Sequence, residues 1–394
     1  MVPSKVEKDP GTAFGAPLVI WSHSFCRSTL ATYLELQKQY PGKVHIVVHG
    51  KSDPDFRAKF GFKSSEFDIS KLQMIDPAID EAFAFLDAHS NSIHMFTAYH
   101  KSKYSGSQFF NKLISRAIEK NMTFLIGSEA PQNMETKGFK YFAKELYLRF
   151  GLKLQLSQTI KSAQFMLSYS GSGTALLTRM GWPAAKLEPF GYYPPPLQNA
   201  YDAGQDASVN RSESAEVLTL LLSGDHSMYK SPITAIEAAE HLCMRGYGKR
   251  FRFLVAGKGQ QTNEMRRRAA ASNLPVEFMG FVELSQLIAL HRVTDVFLAT
   301  GISEPWGIRV NDALNLGCPA IVSMGMGAVD LVHNTGCGWT YEAGNSDALA
   351  KTIIDLIDNP EKVERARSQV LEPDLLSSSY QAGRIVEIMR NRFS

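Results

Sequence analysis

The chain has 394 residues, 44% of them hydrophobic and 21% charged, with a formal net charge of +3, which describes a soluble globular protein long enough for two domains, each with its own core. Cys26, Cys243, Cys318 and Cys337 are widely spaced, without a Cys-x-x-Cys pair or a histidine at ligand spacing, so neither zinc nor a disulfide framework is expected and a reducing cytoplasm fits. No Lys or Arg run is interleaved with aromatics as a nucleic-acid groove requires, the N-terminus is polar where a signal peptide is apolar, and no window approaches eighteen apolar residues, so nucleic acid, secretion and a membrane span are not expected.

In chain order, residues 18–21 read as a buried strand, followed by the Ser22 to Arg27 loop, a helix through Leu36 and a second strand over 43–49. Residues 93–97 and 123–126 are further apolar runs with a helical pattern over 107–120 between them, and a strand over 164–169 precedes a helix over 171–180. This alternation predicts a doubly wound parallel sheet, in which ligands sit at the carboxyl ends of the strands. The loop from His94 to His100 and the segment from Gly127 to Pro131 both follow strand-like runs and could face a cleft. His94, His100 and Glu129 are therefore candidates for recognising acceptor or donor hydroxyls, although a strand-end imidazole satisfied within the core explains a single histidine as well. Residues 181–196 are rich in Pro and Gly, and 198–213 are polar with little apolar periodicity, which marks a domain boundary near 205/206.

A second alternating series begins with a strand over 217–222, a helix over 232–244 and a strand over 251–256 ahead of Gly257 and Gly259, and strands over 276–281, 295–299 and 320–323 extend it. The loop from Ser223 to Lys230 lies between strand and helix, where a lysine can neutralise a diphosphate while backbone N–H groups bind its oxygens. Arg266, Arg267 and Arg268 form the densest basic run and read as a solvated helix face. Pro305 and Gly307 place a turn before a helix over 308–316, ended by Gly317, so Glu304 stands outside the helix start and Asp312 about a turn inside. Two carboxylates so placed could hold different parts of one extended molecule, or could be a loop acid and a solvated helix acid. Residues 359–367 and 377–392 read as terminal helices.

Glu304-x7-Asp312, with Pro-Trp-Gly after the first acid and Ala-Leu-x-x-Gly-x-Pro after the second, resembles the motif of the retaining GT-B glycosyltransferases of the large Glu-x7-Glu family (family 4-like, group 1), which includes O-antigen, capsule and lipopolysaccharide enzymes. Asp312 replaces the usual second Glu. Gly224 and Lys230 match the first Gly and the phosphate-binding Lys of the family's Gly-Arg-Leu-x-x-x-Lys-Gly motif, while Asp225 stands in place of its Arg and leaves the diphosphate clamp one positive charge short, which His226 or Arg309 could supply. Gly280-Phe281-Val282 is similar to the loop beside the nucleotide base. Gly325 and Gly327 ahead of Asp330 resemble the Gly-Gly-x-x-Glu-Leu-Val turn, with Asp330 as a helix N-terminal charge, and Glu129-Ala-Pro131 resembles a segment of some O-antigen transferases. Ser22-His23-Ser24 stands where the family often has Gly-Gly.

The resemblance implies an α/β protein of GT-B fold: two Rossmann-like doubly wound domains, 1–205 for acceptor and 206–374 for donor, facing a central cleft, with a C-terminal helix at 375–394 crossing back to the first. It implies a retaining glycosyltransferase, moving a sugar from a UDP- or GDP-sugar to a hydroxyl of a saccharide or lipid-linked glycan in surface polysaccharide or lipopolysaccharide synthesis, without metal or other cofactor. Glu304, Lys230 and Glu129 are its catalytic candidates. Gly224, Phe281, Val282, Trp306, Gly307, Ile308 and Asp312 join Lys230 and Glu304 as donor contacts. A lipid-linked acceptor would bring this cytoplasmic protein to the inner membrane face, where Tyr99, Lys101, Lys103 and Tyr104 could serve. A non-hydrolysing nucleotide-sugar epimerase of the same fold and a two-lobed sugar-binding protein without chemistry are the alternatives.

Overall fold

Aliphatic and β-branched runs too short for helices become strands buried on both faces, as parallel sheets require. The computed structural model describes residues 12–23, 27–49, 69–99, 107–130, 138–195, 217–370 and 376–394. The first sheet contains β1 (Leu18–Ser22), β2 (Val44–Val48), β3 (Met74–Ile75), β4 (Ile93–Phe96), β5 (Phe124–Glu129), β6 (Met166–Tyr169) and β7 (Leu187–Phe190), in the order β3-β2-β1-β4-β5-β6-β7. The second contains β8 (Leu218–Ser223), β9 (Phe251–Ala256), β10 (Val276–Gly280), β11 (Val296–Ala299), β12 (Ala320–Ser323) and β13 (Gly338–Tyr341), in the order β10-β9-β8-β11-β12-β13. The pairs are parallel, and the order reverses at β1/β4 and at β8/β11, the positions where open α/β sheets form crevices.

Several segments differ from the sequence reading or went unread in it, β3, β13 and helices Ile79–Ala88, Leu284–Arg292 and Ser346–Asp358 among them. Part of the Pro/Gly-rich stretch is β7, whose Pro189 is tolerated because the strand lies on the sheet edge. Residues 138–162, unread in the sequence, run as one helical rod: helix Gly138–Leu146, a π-helical segment Tyr147–Gly151 and helix Leu152–Ser162. The expected boundary at 205/206 lies within 196–216, outside the described residues.

The last helix, Ser378–Phe393, leaves the second domain and lies against helix Arg27–Gln39 of the first. Its Ala382, Ile385, Val386 and Met389 are buried. Gln39 Nε2 donates to Ser379 O at 2.9 Å, Phe14 N donates to Phe393 O at 3.1 Å, and Arg392 pairs with Glu188. One apolar cluster runs from Leu18 and Ile20 in the first domain through Phe190, Tyr193 and Trp306 to Leu221 and Leu314 in the second. The basic run sits on helix Thr262–Ala271, with Arg268 paired to Glu237 and Glu240 and Arg267 to Glu264.

Candidate functional site

The carboxyl ends of β8, β9 and β11 meet because glycines let their loops touch. Gly224 has φ +137°, and a Cβ on Gly257 would lie 1.9 Å from Gly224 O. His226 is fully buried under this contact, with Nδ1 2.8 Å from Thr262 Oγ1, and burial pushes its pKa down. It faces the interior. The β8 loop is pinned to the β11 loop, since Ile302 N donates to Tyr229 O at 2.9 Å and Thr300 Oγ1 donates to Lys230 O at 2.9 Å. These bonds aim Lys230 at the next loop, where Nζ stands 3.2 Å from Glu304 Oε1.

Glu304 is held by its backbone. Its N–H donates to Gly325 O at 3.0 Å and its C=O accepts from Gly327 N at 3.1 Å, a short parallel bridge that leaves the carboxylate free to turn toward the cleft. Gly307, at φ +110°, then starts helix Ile308–Asn315. A small cleft, about 50 Å³, is lined by Gly224, Asp225, Lys230, Glu304, Gly307, Ile308 and Arg309 among others. Residues from three separate stretches of sequence therefore line one cleft. The unpaired N–H groups at the helix start and the two cations Lys230 and Arg309 suit it to an anionic ligand.

The cleft lining does not include Trp306, Asp312, Phe281 or Val282 among the described residues. The Trp306 indole is 3% exposed and lies between the domains. Its Nε1 donates to Asn311 Oδ1 at 2.8 Å, Asn311 Nδ2 donates to Tyr192 O at 2.8 Å, and a Cβ on Gly191 would lie 2.1 Å from Trp306 Cη2. Only its main chain is left for a ligand. Asp312 is 1% exposed, with Oδ2 3.1 Å from Arg309 Nη1. Asp312 thus holds the arginine that lines the cleft, and of the two residues weighed to offset Asp225, Arg309 is the one that reaches it. Phe281 is exposed at the end of β10, and Val282 packs partly on the core. Gly280 O accepts from Gly257 N at 2.6 Å, which keeps this rim beside the glycine turn.

On the first domain, Glu129 ends β5. Burial raises its carboxyl above the usual range, a hydrogen bond with the Tyr192 side chain pulls it back, and the charge of Glu304 pushes it up again. Glu129 and Glu304 therefore sense each other across the interface. His94 is not brought to the cleft. Its Nδ1 accepts from Trp21 Nε1 at 3.2 Å, its Nε2 lies 3.1 Å from His89 O, and burial lowers its pKa to about 4. It is a neutral core imidazole, which corrects its assignment to the acceptor. His100, Lys101, Lys103 and Tyr104 lie outside the described residues, and Tyr99 is buried and so cannot face a membrane.

Asp330 carries a contact that the sequence reading missed. Its Oδ2 accepts from Gly171 N at 2.6 Å, which caps helix Gly171–Arg179 of the other domain instead of its own. Gly327 is glycine for the same approach, because a Cβ there would lie 2.0 Å from Pro305 O and 2.6 Å from Ser170 Cβ. Only the acid three residues after a glycine turn hinted at this, and the partner is 159 residues away.

Two doubly wound domains with a cleft at strand carboxyl ends, and a last helix returning to the first domain, make up the GT-B fold of glycosyltransferases. Residues 207–371 match the model of the family Glycosyl transferases group 1. Over 149 residues, 38% of each chain, the protein is 28% identical to the GDP-mannose-dependent alpha-(1-6)-phosphatidylinositol dimannoside mannosyltransferase of Mycobacterium tuberculosis. Over 119 residues, 29% of this chain and 30% of the other, it is 29% identical to the 2-deoxystreptamine glucosyltransferase of Streptomyces kanamyceticus. These matches thus span well under half the length of the curated relatives. Anabaena HepE in complex with UDP superposes with a TM-score of 0.66 at 12% identity, covering 95% of this chain and 100% of that one, a likeness of fold.

Proposed function

We propose that this protein transfers a glycosyl group from a nucleoside diphosphate sugar to a hydroxyl of a saccharide or glycolipid acceptor, with retention of anomeric configuration. The observation that carries this reading is the Lys230–Glu304 pair, 3.2 Å apart in the cleft of the group 1 domain. In the reaction the anomeric carbon–phosphate oxygen bond breaks, the acceptor oxygen bonds to the anomeric carbon, and the acceptor proton is lost as the nucleoside diphosphate departs. Lys230, Arg309 and the N–H groups at the start of helix Ile308–Asn315 stabilise the departing charge, a preorganised role that needs no metal. Glu304 orients the sugar and offsets its developing positive charge. The main chain of Trp306, Gly307 and Ile308 meets sugar hydroxyls, Phe281 and Val282 border the base, Asp312 acts through Arg309, and Glu129 faces the acceptor from the first domain. The sequence relatives named for GDP-mannose and the fold neighbour holding UDP support the donor class. The phosphatidylinositol mannoside named for the mycobacterial relative supports a glycolipid acceptor in surface glycan synthesis.

The test is nucleoside diphosphate release with UDP- and GDP-sugar panels, with and without chelator. Lys230→Ala and Glu304→Gln are expected to lower kcat roughly 100-fold to 1,000-fold, as removal of one preorganised charge-stabilising group does. The chelator is expected to leave the rate unchanged. Near-normal turnover by both variants would remove the proposed site. Product NMR checks retention, and an isomerised sugar nucleotide formed without acceptor would make the protein an epimerase.

A further inference from the structure

The helical rod over residues 138–162 is apolar on two opposed faces, and only one belongs to the core. Leu148, Leu152 and Leu156 are buried among first-domain side chains. On the outward side Phe139 is 85% exposed, Phe142 62%, Phe150 68% and Leu154 79%, with Leu146 and Tyr147 exposed between them. At 100° per residue these positions form one stripe, away from the buried leucines. The rod also carries Lys140, Lys144, Arg149, Lys153 and Lys161 against a single acid, Glu145. Lys186 Nζ donates to the carbonyls of Ile160, Lys161 and Ala163, adding a cation at its C-terminal end.

We propose that this rod is a docking surface for an anionic lipid bilayer, with its aromatic rings at the boundary between headgroups and acyl chains and its lysines on lipid phosphates. The charge balance selects the occupant. Two copies of so basic a stripe repel one another and protein interfaces are poor in lysine, whereas a bilayer with anionic headgroups accepts both the rings and the ammonium groups. The rod lies on the surface and does not span, since among the described residues no helix is long and apolar enough to cross a membrane. Its first residue, Gly138, is nine positions after Glu129, so chain length bounds their separation at roughly 30 Å. A membrane-anchored acceptor would therefore be held within that reach of Glu129 at the end of β5.

Flotation of the purified full chain with phosphatidylcholine vesicles, with and without phosphatidylglycerol, tests this without any sugar nucleotide, so it is independent of the transferase assay. Binding is expected only with phosphatidylglycerol and is expected to weaken with salt. Phe142→Ser/Phe150→Ser should lower partitioning on the order of 100-fold, and Lys140→Glu/Lys144→Glu at least about tenfold. Because these side chains face outward, thermal unfolding serves as a control expected to stay unchanged. Absence of binding to anionic vesicles, or undiminished binding by the Phe variant, would overturn the proposal. A wild-type dimer that the Phe variant converts to monomer in size exclusion would assign the face to a second copy instead.

Discussion

In the function proposed above, Arg309 takes up a task that Asp225 cannot perform. With Asp225 at the arginine position of the motif, Arg309 is the second cation lining the cleft, and Asp312 Oδ2 lies 3.1 Å from its Nη1. Arg309→Ala is expected to lower kcat/KM about tenfold to 100-fold, the equivalent of one charge-assisted contact, and Asp312→Asn to act in the same direction more weakly. A donor titration that leaves both variants at wild-type values would remove Arg309 from the site. Lys230 and Glu304 were legible in the sequence because each sits in a local motif. Burial of His94, Trp306 and Asp312 was not, because it is created by distant residues such as Trp21, 73 positions from His94.

Buried histidines set a further residue-scale expectation. Burial lowers His94 and His291 to about 4, from an unfolded value near 6.5. Between these values the unfolded chain binds more protons than the folded one, so stability is present above pH 6.5 and is lost as pH falls toward 4. Each group accounts for about 3 kcal/mol over that window. The urea midpoint should therefore fall steeply from pH 7 to 4.5, and His291→Phe should flatten that fall. An equal fall in the variant would argue against the assignment.

Among the elements, the start of helix Ile308–Asn315 is the most constrained. Gly307 combines φ +110° with a position where a Cβ would meet Met326 Cε at 2.3 Å, whereas Gly317 at the end of the same segment has φ +76° and open space. Gly307→Ala should cost about 1–3 kcal/mol of stability and also lower kcat, since the cleft-lining backbone must shift. Gly317→Ala should cost about 1 kcal/mol with kcat retained. Equal effects on turnover would show that the start of this helix does not shape the site. Strands flanked by turn residues were readable from their apolar runs. The rod over 138–162 was not, because apolar residues on two faces blur the helical period and the π segment shifts its phase.

For the whole molecule, two α/β halves followed from alternation along the chain, but their mutual contacts did not. Asp330 on Gly171 N, Asn311 on Tyr192 O and Trp306 against Gly191 join residues 115 to 159 positions apart, beyond the reach of any local pattern. Asp330→Ala should loosen the pair of domains, raising the radius of gyration in small-angle scattering, with UDP or GDP reversing part of the change. An unchanged radius would show that the remaining contacts suffice.

The return of the last helix has a consequence for synthesis. Helix Ser378–Phe393 covers Arg27–Gln39, and its final residue engages Phe14 and Phe165. The half that leaves the ribosome first is thus the half whose core is closed last, once the entire second domain has been translated. Until then the apolar side of Arg27–Gln39 stays open on the nascent chain, and a message cut short just after the second domain would yield a chain whose second domain is whole and whose first lacks its covering helix.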